Sequence, residues 1–176
     1  EAAHAEALAS DALLDTIERV RCFGFALAPL DLREDGRVIT PVIAEMLSDP
    51  EYSTRPPEAR AASLARLALP DRRAAISPEA RRLLDLFATL RRVSARFGPE
   101  ATGSFIVSMT ESHTDVLEAL ALAELHGLGA TLDVVPLFET RAALGATASV
   151  LEALFDDERY ARHLDLRGRV QEVLLG

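Results

Sequence analysis

The chain of 176 residues has no lysine, no asparagine and no tryptophan, and Gln171 is its only glutamine. Without lysine there is no amine for a Schiff base and no phosphate-loop lysine, so two broad mechanistic classes drop out. Cys22 stands alone, which excludes a disulfide framework and a cysteine-based zinc site. No stretch approaches the roughly 20 consecutive apolar residues of a membrane-spanning helix, and the acidic, apolar-poor start does not read as a signal peptide. A basic tract, a glycine-rich phosphate loop, Gly-x-Ser-x-Gly and His-Glu-x-x-His are all missing. Nineteen arginines against 28 acidic residues leave a net charge of −9. That balance argues against a nucleic-acid surface and against an anionic membrane as partner. Hydrophobic content of 49% with 27% charged residues belongs to a globular chain long enough to bury a core. The expectation is one domain over residues 1–176 of a cytoplasmic protein.

The order of elements follows from periodicity and punctuation. Residues 3–20 read as a helix, with Ala7, Leu8, Leu13, Leu14, Ile17 and Val20 at helical spacing. The apolar run 25–30 reads as a buried strand, crowded at its end by Asp31, Arg33, Glu34 and Asp35, with Gly36 turning the chain. Thr40-Pro41 opens a helix through Leu47, and residues 48–58, with three prolines, form a loop. Helices follow near 57–68 and 77–96, the second capped by Ser77 and led by Pro78. Then strands alternate with helices: strand 104–109, helix 114–125, strand 134–138, helix 140–155, a short helix 156–164 and a last strand 169–175. Apolar runs alternating with helices mark parallel βαβ units, so the class is α/β, helix-rich. Functional groups in such sheets sit past the carboxyl ends of the strands. A final strand with nothing after Gly176 suggests an internal fragment of a larger enzyme.

Three places could carry chemistry. Glu139 ends the run Val134-Val135-Pro136-Leu137-Phe138, where a carboxylate needs a partner or a metal; it could equally belong to the start of the next helix and meet its dipole. Asp31 and Arg33 share one face of a strand, and an arginine at a strand mouth suits a phosphate or carboxylate. The alternative is a local ion pair of Arg33 with Asp31 or Asp35. Met109 closes another strand, ahead of Thr110-Glu111-Ser112-His113-Thr114-Asp115, where His113 and Asp115 admit a metal site and Ser112 or Thr114 a simple helix cap. His4, His126 and His163 have no close partner in sequence and read as surface residues.

These segments resemble the phosphoenolpyruvate carboxylase family. Val134-Val135-Pro136-Leu137-Phe138-Glu139-Thr140 is similar to the stretch that ends in that family's metal-ligating glutamate. Ser104-Phe105-Ile106-Val107-Ser108-Met109, then Thr114-Asp115-Val116-Leu117, looks like its Ile-Ile-Ser-Met strand and Ser-Asp-Val-Leu helix start. Phe23-Gly24-Phe25 with Leu30-Asp31-Leu32-Arg33 is similar to its Phe-Gly and Leu-Asp-Ile-Arg segment. Residues 168–176 look like the lead-in to its Gly-Tyr-Ser-Asp-Ser motif, cut after the glycine. The four segments stand in the family's order across residues 19–176.

The resemblance implies roles. Glu139 matches a ligand for Mg²⁺ or Mn²⁺, Arg33 a contact to the substrate phosphate and so a catalytic residue, and Met109 an apolar contact to substrate. It implies a partial (β/α) barrel of the phosphoenolpyruvate carboxylase type with extra helices, which accounts for the helical stretch between residues 40 and 97. The substrates would be phosphoenolpyruvate and bicarbonate, the products oxaloacetate and phosphate, and the assembly a homo-oligomer, a tetramer by resemblance. The second metal-binding carboxylate would follow Gly176, so the piece by itself should not catalyse. Where the family has Gln and Ser after its arginine, this chain has Glu34, Asp35 and Gly36, acids able to compete for Arg33. The different-class alternatives are a non-catalytic helical regulatory or scaffold module that binds a protein partner, and an unrelated barrel enzyme with a metal at Glu139.

Overall fold

The computed structural model describes residues 13–24, 28–71 and 73–176. Among them run, in chain order, α1 (Leu14–Phe23), β1 (Leu30–Asp35), α2 (Gly36–Met46), α3 (Pro57–Ser63), α4 (Pro78–Phe97), β2 (Thr102–Ser108), α5 (His113–Leu125), β3 (Val134–Phe138), α6 (Arg141–Asp156), α7 (Glu158–Leu166) and β4 (Leu174–Leu175). Short 3₁₀ turns lie at Tyr52–Thr54, Leu64–Arg66 and Pro99–Ala101. The four strands make one parallel sheet in the order β1-β2-β3-β4. The fold is therefore helix-rich α/β. Because the strands follow one another in sequence, right-handed crossovers all step the same way and put their helices on one face.

Register decides which side chains share a face. Leu32 lies beside Phe105 and Phe105 beside Val134, and all three pack into the main core. The next residues along, Arg33, Ile106 and Val135, are also in register and so occupy the opposite face. Between sheet and outer helices lies α5, whose residues from Thr114 to Ala123 are all buried. A helix buried all round is a central one, and Ala119, Ala121 and Ala123 let its neighbours approach closely. Around it gather Ile39 and Ile43 of α2, Leu83 and Phe87 of α4, Phe105 and Val107 of β2, and Tyr160 of α7.

Local chemistry starts the helices where the sequence places them. Ser77 Oγ accepts from Ala80 N at 3.1 Å, Thr140 Oγ1 from Ala143 N at 3.0 Å, and Asp157 from Arg159 N and Tyr160 N, each satisfying a free N–H of a first turn. A tight contact fixes β1 against β2. The register slips between Leu30 and Leu32, and a Cβ on Gly103 would sit 2.9 Å from Asp31 N and from the Leu30 carbonyl carbon. Only glycine allows that approach.

Several sequence expectations are corrected. Among the described residues the first strand is Leu30–Asp35, beginning where the predicted run ends; residues 25–27 of that run, and residues 3–12 of the first predicted helix, lie outside the described residues. Among the described residues β1 pairs only with β2, and its polar side chains each find a partner: Asp31 the Ser104 amide, Arg33 Glu139 and Glu34 Arg82. The second helix starts at Gly36, a turn before Thr40, because Asp35 caps it by accepting Arg37 N at 2.8 Å; Pro41 then falls inside the helix. The last strand shrinks to Leu174–Leu175, since Gln171 Nε2 spends itself on the Val134 carbonyl and the Glu172 carbonyl in place of a ladder. His126 and His163 are buried. Each ring nitrogen Nδ1 meets a backbone carbonyl, of Leu122 at 2.8 Å and Gly129 at 2.7 Å, and each ring rests on an aromatic neighbour, Phe87 or Tyr160. His4 lies outside the described residues.

Candidate active site

β3 is buried along its whole length, and the chain leaves it at Glu139, one residue before the Thr140 cap of α6. From Val135, two steps of two residues reach Glu139, so its side chain falls on the face that carries Arg33 and Ile106. Arg33 reaches across β2 to meet it: Nη2 donates to Oε2 at 2.9 Å and to Oε1 at 3.1 Å. Met109 N, just past β2, donates to Oε1 at 3.3 Å. Groups from the ends of β1 and β2 thus converge on the carboxylate that ends β3. Glu139 is therefore no helix-start carboxylate facing solvent.

The local alternatives for Arg33 are taken up elsewhere. Asp31 Oδ1 accepts from Ser104 N at 2.9 Å. Glu34 pairs with Arg82 at 2.5 Å, and Asp35 with Arg37 at 2.6 Å; the Arg37 hydrogen bond holds the Asp35 carboxyl below its ordinary range. The acids that follow Arg33 are thus neutralised by Arg82 and Arg37 and leave its guanidinium to Glu139. The Arg33 side chain is 55% exposed and that of Glu139 24%. A pair so open to water stabilises the fold little, and both groups can be reached by a ligand.

Met109 adopts φ 56°, the left-handed region that a methionine rarely enters. It borders a cleft of about 230 Å³ lined also by Gly36, Arg37, Thr40, Arg60 and Asp115. Behind this cleft sits a cluster that pattern reading missed. Arg60 Nη2 lies 2.6 Å from Asp115 Oδ1 and 3.0 Å from Glu118 Oε1. Thr40 Oγ1 and Tyr52 Oη donate to the two Glu118 oxygens at 2.7 and 2.9 Å. Glu118 is fully buried, and burial pushes its carboxyl up to about 6 against the pull of Arg60, Thr40 and Tyr52. His113 and Asp115 do not form a metal site: Asp115 takes the N–H groups of Glu111 and Ser112 as part of the helix start, with Ser112 as the N-cap residue. Thr114 instead donates to the Pro57 carbonyl at 2.7 Å.

As a cation site, Glu139 offers hard oxygen of the kind Mg²⁺ and Mn²⁺ take, at a strand mouth open to solvent. The donor type fits; the number does not suffice alone. Among the described residues no group of three or more His, Cys, Asp and Glu gathers in one place, so Glu139 fits as one ligand of a larger set.

Fold and site together define a parallel α/β protein that gathers polar groups at the carboxyl ends of its strands, where such sheets bind ligands. The chain belongs to the phosphoenolpyruvate carboxylase family, whose model matches residues 1–176. It is 39% identical over 169 residues to the phosphoenolpyruvate carboxylase of Xanthomonas oryzae pv. oryzae, covering 90% of this chain and 18% of that protein. The phosphoenolpyruvate carboxylase of Chromobacterium violaceum is 38% identical over 193 residues, 99% of this chain and 21% of the relative. That of Nocardia farcinica is 35% identical over 189 residues, 96% and 20%. The chain thus spans about a fifth of the length of the curated relatives it matches.

Proposed function

We propose that this chain forms one side of a phosphoenolpyruvate carboxylase active site, as a single domain belonging to a larger (β/α) barrel. The observation that carries the reading is the meeting of Arg33 and Glu139, 106 residues apart, on one face of the sheet across the end of β2. A scaffold module gives no reason to bring them together. The sequential strand order also suits a barrel, where every crossover steps the same way. Gly176 supports the wider site: its N–H donates to the Phe138 carbonyl at 2.9 Å, and a Cβ there would lie 3.0 Å from Glu139 Cβ. A strand continued past Gly176 would run beside the carboxylate and bring it further ligands.

In this reading the reaction joins phosphoenolpyruvate and bicarbonate. The enol-ester P–O bond breaks as bicarbonate oxygen takes the phosphoryl group, leaving a carboxyphosphate-like species and the enolate. The enolate carbon then forms a bond to the carboxyl carbon, and phosphate leaves with oxaloacetate as co-product. A bound Mg²⁺ or Mn²⁺ supplies Lewis-acid stabilisation of the enolate oxygen. Glu139 holds one coordination position, and Arg33 offers its planar donors to the phosphate as charge moves across it. Met109, whose N–H meets Glu139, would offer the substrate an apolar contact. Before ligands arrive, Arg33 and Glu139 satisfy one another, so neither charge stands unpaired. The family resemblance carries with it a homo-oligomer, tetrameric and cytoplasmic. The acidic net charge of −9 argues against nucleic acid as a partner, and no helix among the described residues is long and apolar enough to cross a membrane.

The test is a coupled assay of oxaloacetate formation by the full-length enzyme that carries this segment, with Mn²⁺ or Mg²⁺, phosphoenolpyruvate and bicarbonate. Turnover is expected, and E139Q should raise the metal concentration needed for half-maximal rate by about 10- to 100-fold. No oxaloacetate from the folded enzyme overturns the activity. An unchanged metal requirement in E139Q removes Glu139 from the ligand set.

A further inference from the structure

The turn from β2 into α5 is held in an unfavourable shape by a group outside the strand mouth. Met109 is left-handed at φ 56°, a conformation that persists in a non-glycine residue only where its surroundings over-determine it. Thr110 is pinned by its N–H to the Leu137 carbonyl at 3.3 Å and by its Oγ1 to the Val107 carbonyl at 2.7 Å. The next two N–H groups, of Glu111 and Ser112, both point at Asp115 Oδ2, at 2.9 and 2.8 Å. With those three fixed, the Met109 N–H is left facing Glu139 Oε1.

Asp115 can grip two amides only while its carboxylate stays oriented with Oδ2 toward the loop. Its other oxygen is taken by Arg60 Nη2 at 2.6 Å. Arg60 comes from α3, in the helical stretch between β1 and β2, 55 residues earlier in the chain. The same nitrogen is shared with Glu118, itself fixed by Thr40 of α2 and Tyr52 of the 3₁₀ turn. Side-chain exposure is 12% for Arg60, 10% for Asp115 and zero for Glu118. Remove the guanidinium and two buried carboxylates confront each other. Asp115 then turns away from Glu118, and that rotation releases the loop amides.

We propose that Asp115, clamped by Arg60, is a positioning residue that aims the Met109 amide at Glu139, so that the inserted helices set the geometry of the strand-mouth carboxylate. The proposal rests on the reading of Glu139 as a metal ligand. It gives the α3 insertion a task in the site: it orients a ligand through two successive buried contacts, as outer partners of metal ligands do.

The experiment uses the full-length enzyme with the variants R60M, R60K, D115N and E139Q. Two readouts are taken: Mn²⁺ binding measured by the free-ion electron paramagnetic resonance signal, and amide hydrogen exchange of the peptide covering residues 109–112. R60M and D115N should weaken Mn²⁺ binding by about tenfold, in the range seen for outer-shell partners, and should speed exchange of that peptide while peptides from β3 stay protected. R60K, which keeps a donor toward Asp115, should recover most of both. A purely structural role would loosen the protein at large and leave no selective effect on the turn. Folded R60M and D115N proteins with wild-type Mn²⁺ affinity and wild-type loop protection overturn the proposal. If R60M does not fold, D115N, isosteric with the native residue, carries the same two readouts. Should E139Q bind Mn²⁺ as the wild type does, the metal role of Glu139 is what fails, and the exchange of residues 109–112 decides the positioning claim by itself.

Discussion

Arg33 and Glu139 meet through one guanidinium nitrogen that donates to both carboxylate oxygens, at 2.9 and 3.1 Å, across the intervening strand. In the proposed function each is the other's placeholder: a phosphate would draw Arg33 away, and a cation would draw Glu139. The pair sits at the solvent boundary, so its meaning lies in position more than in stability.

Arg33→Gln in the full-length enzyme should lower kcat/KM for phosphoenolpyruvate by about 10- to 100-fold, the loss of a charge-assisted hydrogen bond worth about 1.5–3 kcal/mol. Steady-state kinetics at saturating Mn²⁺ measures it. A value equal to the wild type would take Arg33 out of the substrate's path.

Glu118 gives a pH signature with a definite sign. Its folded carboxyl, pushed up to about 6 by burial, lies above the value of about 4.3 for an unfolded glutamic acid. The stability this group contributes is therefore complete below about pH 4.3 and is lost as pH rises through about 6. Glu118→Gln cannot titrate, while Arg60, Asp115 and Tyr52 around it remain. Relative to the wild type, that variant should gain about 2 kcal/mol between pH 4.3 and pH 7.5, read from urea unfolding at a series of pH values. A pH-independent difference would mean that Glu118 is charged throughout.

Gly103→Ala should destabilise the β1–β2 pairing by about 1–3 kcal/mol, because the new methyl group meets backbone at 2.9 Å and one strand must move. Denaturant midpoints measure the loss. If the alanine variant is as stable as the wild type, the register slip at Leu30–Leu32 has room that the contact distances deny.

At Met109 the backbone itself makes a prediction. Met109→Val places a β-branched residue at φ 56° and should cost about 1–2 kcal/mol, whereas Met109→Gly should be tolerated by the fold. If Met109 contacts substrate as proposed, the glycine variant should also raise KM for phosphoenolpyruvate. Equal unfolding midpoints for the valine and glycine variants would show that the turn is not held left-handed in solution.

Much of the architecture was legible because its signals are short-range. Val134–Phe138 reads as a buried strand from five apolar residues, and Ser77 and Thr140 announce helices by offering an oxygen to a free N–H three residues on. The motif order brought Arg33, Met109 and Glu139 forward together. What misled was also local: the run 25–30 is more apolar than the strand that begins at Leu30, whose polar side chains find partners only through the fold. His126 and His163 looked external because a sequence does not show that a backbone carbonyl waits for each ring nitrogen.

The amino-acid sequence alone determined most element types, the helix starts at Ser77 and Thr140 and the family, since periodicity, caps and motifs act over a few residues at a time. Tertiary structure alone decided that Arg33 would turn from three nearby acids to Glu139, because strand register sets which side chains share a face and Arg37, Arg82 and the Ser104 amide occupy those acids. It also decided that Arg60, Asp115 and Glu118 would form a buried cluster. Packing α3 onto α5 withdraws their charges from water, and charges so withdrawn must find one another whatever their distance along the chain.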